Sequence, residues 1–276
     1  MNKFNKDEKV IRDFGQEWLL FNHFDADLKE LTKIFHDYFN IFPWDLVSNK
    51  SSGFDMGCGT GRWAQFVANR VGHLHCIDPS NAIHVAKTNL KDLDNVSFLQ
   101  ETTDTCSLQA GTQDFGYSLG VLHHIPDTQA ALVDCAKLLK KGAPFLLYLY
   151  YKFDNKPLWF RLIWKTTDYF RRIISLLPHP IKRFICSLIA YFIYFPFSRI
   201  ALLLEMLKVD VSNFPLAYYR NQSLYILKND ALDRFGTKLE QRFSKEEIKQ
   251  MLEKAGFRNI TFSNSAPYWC CISIKE

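Results

Sequence analysis

The seven cysteines, at 58, 76, 106, 135, 186, 270 and 271, include no C-x-x-C pair. That removes the spacings of a structural zinc site and of a thioredoxin-like redox motif, and the sequence offers no metal site. The first twelve residues lack an apolar stretch and carry Lys3, Lys6, Asp7, Glu8 and Lys9, so no secretory signal is read there. An odd number of scattered cysteines without such a signal points to reduced thiols and a cytoplasmic protein. No internal repeat and no low-complexity tract is present. Neither sign of charge dominates: 34 basic and 29 acidic residues leave +5, too mild to imply a nucleic acid partner, and no DNA binding is expected.

What is present is an ordinary globular balance, 47% hydrophobic and 23% charged, in a length that suits one large domain carrying an insertion. Asp25 to Asn40 reads as a helix, with Leu28, Leu31, Phe35 and Tyr38 on one face, Asp25 as its cap and Pro43 beyond its end. Gly53 to Met56 reads as a short buried strand running into Gly57, Gly59 and Gly61. Strands and helices then alternate: strand 73–77, helix 80–90, strand 96–100, strand 114–121, helix 127–141 and strand 143–151. Asp127 caps the second of these helices, and Gly142 follows Lys137, Lys140 and Lys141 at its negative end. The near-continuous apolar run at 143–151 suits a strand covered on both faces. Ser244 and Glu247 make a capping box for a last helix ending at Gly256, followed by strands at 259–263 and 268–274. This order predicts an α/β fold: a doubly wound, mostly parallel, Rossmann-like sheet with a helical insertion after the fifth strand.

Four segments follow from that reading. Residues 1–50 form a helical cap, 51–151 a nucleotide-binding core, 152–241 a helical, basic and aromatic insertion, and 242–276 the helix and two strands that complete the core. A structureless loop as long as the insertion is improbable, so a lid or subdomain is expected there.

The chemistry concentrates around the glycines. A strand ending in closely spaced glycines lets a ligand press on the backbone, and a helix starting near Arg62 would present free N–H groups. Spacing alone leaves a dinucleotide open, because Gly59, Gly61 and Ala64 satisfy the G-x-G-x-x-A form. Asp78 ends the second strand 17 residues past Gly61 and is placed to accept ribose hydroxyls. The bland readings are turn glycines, and an Asp78 that only caps the next helix.

Taken with Leu119-Gly120-Val121-Leu122-His123-His124-Ile125-Pro126-Asp127, these residues resemble the class I S-adenosylmethionine-dependent methyltransferases of small-molecule type. The resemblance covers about Ser51 to Tyr151. It rests on Asp55-Met56-Gly57-Cys58-Gly59-Thr60-Gly61, on Cys76-Ile77-Asp78-Pro79-Ser80, and on Asp114 to Tyr117 with the block just quoted. It implies S-adenosylmethionine as cofactor. Gly57, Gly59 and Gly61 would face its methionine and ribose parts, Asp55 would order the loop or bind the amino group, and Asp78 would hold the ribose. Thr103 and Asp104 would stand at the adenine, and Trp18 would close the pocket or serve only as core packing. The absence of an Asn-Pro-Pro-Tyr motif argues against adenine or glutamine as methyl acceptor.

His123 and His124 fall at the carboxyl end of the fourth strand, where open α/β sheets bind ligands, and one of them is a candidate base. The competing reading has His124 bracing the loop and the Asp127 cap. Asp230, Asp233, Arg234 and Arg242 precede the last helix and form a candidate acceptor-binding cluster, or a surface ion-pair network. From Lys152 to Ile200 nine cations face two carboxylates, a net +7 that leaves −2 for the rest of the chain. Aromatic residues interleave with these cations, and Phe184 to Ser198 then runs 15 residues without charge. That run is short for a bilayer, and Pro196 is expected to break it. A soluble lid, or peripheral membrane contact through 152–207, fits better. Long Leu/Ile runs argue against RNA. The expected function is methyl transfer to a small-molecule or lipid- or glycan-like acceptor. The alternatives are a nucleotide-fold binding or scaffold protein and a nicotinamide-dependent oxidoreductase. The oligomeric state is left open.

Overall fold

The computed structural model describes residues 5–21 and 27–276. It divides into a first unit, which ends at Lys152 and resumes over Leu239–Glu276, and a second unit over Phe153–Lys238. The first unit opens with α1 (Glu8–Leu20) and α2 (Leu28–Phe39), followed by β1 (Ser52–Met56), α3 (Ala64–Ala68), β2 (His73–Ile77), α4 (Ala82–Asn89) and β3 (Val96–Leu99). Then come β4 (Phe115–Leu119), α5 (Thr128–Leu138) and β5 (Pro144–Tyr148). The second unit holds α6 (Leu158–Ile174), α7 (His179–Ile189), α8 (Phe195–Met206) and α9 (Leu224–Gly236). The first unit closes with α10 (Lys245–Lys254), β6 (Phe257–Phe262) and β7 (Cys271–Lys275).

The seven strands form one sheet in the order β3-β2-β1-β4-β5-β7-β6. β1 to β5 run parallel, and β7 enters antiparallel between β5 and β6. Successive side chains of a strand point to opposite faces, so both faces are apolar. Phe145 and Leu147 of β5 pack with α5 and α10 on one side, and Leu146 packs with α2, α3 and α4 on the other. β1 and β4 fit through a reciprocal exchange. Gly53 lies opposite Phe115 and Phe54 opposite Gly116, so each ring covers the neighbouring strand's glycine. A Cβ on either glycine would fall 2.4 Å from ring carbons.

Several boundaries differ from the sequence reading. β4 stops at Leu119 because Gly120 takes φ +77 and its N–H bonds the Tyr148 carbonyl. β5 stops at Tyr148, after which Tyr151 meets Phe243 in an isolated bridge. α5 stops at Leu138, because Leu139 turns extended and bridges Gln113. Asp127 caps it by accepting from the Ala130 N–H. The expected cap Asp25 lies outside the described residues; Asp27 caps α2 through the Lys29 N–H.

In the second unit, Pro196 does not break the chain: His179 to Met206 is one helical stretch of 28 residues. A π-helical turn over Ala190–Tyr194 precedes the proline, and the Phe195 N–H reaches back to the Ala190 carbonyl. The ladder has already changed step there, so a missing N–H at 196 is absorbed.

The reciprocal Gly–Phe packing is testable. Gly116→Ala should cost about 1–3 kcal/mol, as overpacked cores do. Adding Phe54→Leu, which opens space for the methyl group, should recover part of that loss. Urea unfolding of the two variants checks this; equal midpoints for wild type and Gly116→Ala would contradict it.

Candidate functional site

β1 delivers Asp55 and Met56 to a turn in which Gly57, Gly59 and Gly61 all take positive φ. The Gly57 and Cys58 N–H groups both donate to the Ile77 carbonyl, at 2.7 and 3.0 Å, tying the end of β1 to the end of β2. A Cβ on Gly57 would stand 2.3 Å from Val121, which follows β4. Only glycine fits there, on conformation and on space. The helix expected from Arg62 begins only at Ala64 and spans five residues. Cys58 is buried among these strand ends, and burial pushes its thiol well up, which suits a small filler.

Two carboxylates lie beneath the turn. Asp78 Oδ1 accepts from the Ser80 N–H at 2.9 Å and from its hydroxyl at 2.6 Å, and Oδ2 accepts from the Gly59 N–H at 3.0 Å. The cap-like role and the loop-ordering role therefore fall to one residue. Burial still raises its pKa against those three donors. Asp55 is buried, and its Oδ2 has no hydrogen-bond partner. Burial pushes its carboxyl up to about 8; the nearby Tyr117 phenol opposes the shift and the Asp78 charge adds to it. The Tyr117 hydroxyl, also buried, makes no hydrogen bond of proper geometry.

α1 packs over this turn. A Cβ on Gly59 would meet the Trp18 ring at 3.5 Å, and a Cβ on Gly15 would meet the Asn81 nitrogen at 3.4 Å. The Arg62 guanidinium lies over Trp18 and Trp63, 5.4 and 4.5 Å from their centroids. Before α1, Asn5 acts as a strap. Its side chain exchanges two hydrogen bonds with the Asp127 backbone at 2.8 and 2.9 Å, and its N–H bonds Asp104 Oδ2 at 2.9 Å. A cavity of about 180 Å³ opens there, lined by Lys6, Ile11, Pro79, Gln100, Glu101 and Thr102 among others. Asp104 is exposed and bonded to Asn5 and Thr102, whereas Thr103 is buried with its hydroxyl unpartnered.

A second cluster forms where β4 and β5 end. His123 is fully buried and stacks on Tyr150 with centroids 4.0 Å apart. Its Nδ1 accepts from the Tyr150 N–H at 3.4 Å, and its Nε2 has no partner. Burial lowers its pKa well below the ordinary value, with His124 and Arg242 adding to the effect. His124 Nδ1 lies 2.7 Å from the Leu239 carbonyl, and Phe14 of α1 rests on its ring at 4.9 Å. His124 thus braces the loop through Leu239. Gln241 ties the same loop, its N–H to the His123 carbonyl and its side chain to Ile125 and Thr128.

Arg242 is half-buried in a pair with Glu240 at 2.7 Å and lies over the Tyr150 ring at 5.0 Å. It belongs with the histidines. Asp230, Asp233 and Arg234 lie on α9 in the second unit, where Arg234 reaches the Thr167 hydroxyl at 3.3 Å. The four-residue acceptor cluster expected from sequence is thus divided between the two units. The sequence gives Asn5 and Tyr150 no role, and gives Phe14, Tyr117 and Gln241 none of their own, since their partners lie far along the chain.

Residues 54–147 match the family described as Methyltransferase domain. The chain is 28% identical over 190 residues to ubiquinone biosynthesis O-methyltransferase of an Escherichia coli strain, covering 66% of this chain and 76% of that one. The match to the Escherichia fergusonii protein of the same name is 28% over 134 residues, and there the chain spans 55% of the relative's length. Among solved structures, a methyltransferase from Thermotoga maritima aligns with TM-score 0.50 at 14% identity over 97% of this chain and all of that one. Phospholethanolamine N-methyltransferase 2 of Haemonchus contortus aligns with TM-score 0.50 at 18% identity, over 92% of this chain and 43% of that one. The match over residues 54–147 identifies that stretch as a methyltransferase domain, and the fold around it is the one seen in S-adenosylmethionine-dependent methyltransferases. The family's cofactor is a cation at its ammonium and sulfonium groups. The residues present fit it: a buried carboxylate with an unpartnered oxygen at Asp55, a second at Asp78, and a glycine turn that side chains would fill.

Asp55 generates a pH prediction. Its carboxyl titrates near 3.8 when unfolded and near 8 when folded, so the folded state holds the extra proton between those values. Stability of the ligand-free protein should therefore fall as pH rises through that window. Asp55→Asn should flatten the fall, raise stability at pH 8 and weaken S-adenosylhomocysteine binding. Urea midpoints at pH 5 and 8, with calorimetry, check all three; a variant as pH-sensitive as wild type would refute the assignment.

Proposed function

We propose that the chain transfers a methyl group from S-adenosylmethionine to a small-molecule acceptor of lipid- or glycan-like character. We further propose that it is cytoplasmic and peripheral to a membrane contacted through 152–207. The observation that carries the methyl-transfer reading is Asp55, a buried carboxylate left short of one partner under a turn with no room for side chains. Such a group is costly unless a cationic ligand meets it. Asp78 is the proposed ribose acceptor, since each oxygen of a carboxylate can take more than the bonds it now holds. Thr103 and the cavity beside Gln100 to Thr102 are the proposed adenine side. The likeness to ubiquinone biosynthesis O-methyltransferases supports oxygen as the acceptor atom.

Bound S-adenosylmethionine supplies an electrophilic methyl carbon, and the chain's task is to align the acceptor oxygen and take its proton. The two histidines divide that work by their tautomers. A carbonyl can only accept, so His124 Nδ1 carries the hydrogen bonded to Leu239, and Nε2 holds the lone pair. His124 is the proposed base. His123 Nδ1 already accepts from Tyr150, so its Nε2 carries a hydrogen. Burial keeps that ring neutral, and it donates a hydrogen bond to the acceptor. Arg242, neutralised by Glu240, holds the Tyr150 ring against His123 and acts through it.

The readings separate experimentally. Asp78→Ala should weaken S-adenosylhomocysteine binding by about 1.5–3 kcal/mol. His124→Ala should leave that binding intact and lower turnover about 10²–10⁴-fold, the usual share of a positioned base. Turnover is found by screening lipid, glycan and RNA fractions of cell extract with labelled S-adenosylmethionine. Tight NAD binding in calorimetry would sink the proposal, as would an His124→Ala enzyme of full activity.

A further inference from the structure

The second unit turns more apolar surface outward than a water-soluble bundle does. Its interior is mixed: Tyr194, Ile226, Leu227, Leu232 and Phe235 are buried there together with Arg171 and Lys182, at 6% and 2% exposure, and with Ser175, Ser198 and Thr237. Arg171 bonds Asp168 at 2.7 Å and the Thr237 carbonyl at 2.9 Å. Its exterior is apolar, with Phe192 74% and Leu176 64% exposed. Among the described residues, every exposed large apolar side chain except Leu19, Leu20, Leu28 and Leu46 falls between 158 and 209. Water selects against an exposed apolar surface of this size, and patches of this extent mark contact surfaces. Ionisable groups kept inside while large apolar groups face outward suit a hydrocarbon surrounding.

The pattern on α6 identifies what covers it. At 3.6 residues per turn, Leu158, Leu162, Tyr169 and Ile173 share one exposed arc with Trp159 and Phe170. Arg161, Lys165 and Arg172, all exposed, run along one edge of that arc, between it and the packed face. Arg172 also holds Asp168 at 2.9 Å. A cationic seam bordering an apolar face suits acyl chains below and anionic head groups beside them. A second copy would bring like charges together across a twofold axis.

We infer that α6 and the helix 179–206 lie in the plane of an anionic bilayer, with their exposed apolar faces among its acyl chains and the α6 cations at its head groups. This deepens the peripheral-membrane part of the proposed function and rests on it. The helix of 28 residues has the length and composition to cross a bilayer, and only 22% of its apolar window is buried. Crossing is ruled out by its inner face. Lys182, Cys186, Tyr194 and Ser198 are buried there, and α7 packs against α9. α9 is 13 residues long, and it carries Lys228, Asp230, Asp233 and Arg234. At about 1.5 Å per residue it is too short to span, and it is too charged to enter the hydrocarbon. The helix can therefore present only one side to lipid.

The test is flotation of the full chain with vesicles of phosphatidylcholine alone or mixed with phosphatidylglycerol, at low and high salt. Wild type should float with the anionic vesicles, less at high salt. Phe184→Asp with Leu188→Asp, both on the exposed face, should stay at the bottom at either salt. Arg161→Glu with Lys165→Glu should lose the preference for phosphatidylglycerol, with each lost cation weakening partition about fivefold, the equivalent of about 1 kcal/mol. Melting temperature and S-adenosylhomocysteine affinity, measured on each variant, should match wild type. Wild type left at the bottom with anionic vesicles at low salt overturns the inference. If sedimentation then shows a dimer that the Phe184/Leu188 variant breaks, the face belongs to a second copy. A wild type that floats but fails to bind S-adenosylhomocysteine would refute the methyltransferase reading and leave this one standing.

Discussion

The convergence of two backbone N–H groups on the Ile77 carbonyl is the constraint from which the site follows. By drawing Gly57 and Cys58 onto the end of β2, it brings the ends of β1 and β2 together, while Val121 closes on Gly57 from the β4 side. No side chain fits between these segments, so the ligand-facing surface is largely backbone. The polar groups that remain, Asp55 and Asp78, are forced into a low-dielectric layer where ionisation is expensive. Asp78 is compensated by Gly59 and Ser80, and Asp55 by nothing comparable. The site thus carries a local instability of the kind a cationic ligand would remove, a common relation between stability and function.

The parts of this site written in local sequence were legible before any coordinates. Glycine spacing, an acid at a strand end and the alternation of β and α each follow from interactions a few residues apart. The missed parts depend on distant partners. His124 could be read as a base or as a brace because the carbonyl that sets its tautomer belongs to Leu239, 115 positions along the chain. Asp104 is assigned to the adenine side by resemblance alone, and nothing near it in sequence announces its bond to Asn5, 99 positions earlier. Strand ends were overrun for a related reason: apolar character continues through Tyr148 to Tyr151, but the ladder does not. Hydrophobicity marks what is buried, and only a neighbouring strand decides what is paired.

Pro196 shows a local rule failing for a local reason. A proline inside a helix removes one donor and crowds the preceding turn, so a break is the sound expectation. The π-helical turn over Ala190–Tyr194 moves the ladder from i−4 to i−5 just before it, and the penalty falls on bonds already rearranged. Nothing in the uncharged run Ala190-Tyr191-Phe192-Ile193-Tyr194 distinguishes a π turn from an α turn. The sequence therefore carried the right materials and pointed to the wrong continuity.

The second unit exposes a deeper limit of periodicity. A repeat near 3.6 residues establishes that a helix has two unlike faces; it does not establish which one points inward. In water the apolar face goes in, and the sequence leaves this stretch open between a soluble lid and peripheral membrane contact through 152–207. Here Arg171, Lys182 and Ser198 are buried beside Tyr194, Ile226 and Leu232, while Phe184, Phe192 and Leu203 are exposed, so one period serves a mixed interior and an apolar outer face. An exposed apolar face in water forfeits the burial that stabilises folding, about 25 cal/mol per Å². The interior polar groups meet a matching demand, since an Arg171 buried without Asp168 and the Thr237 carbonyl would be an uncompensated charge. The inner face is thus compensated within the bundle, whereas the apolar outer face is compensated by nothing among the described residues.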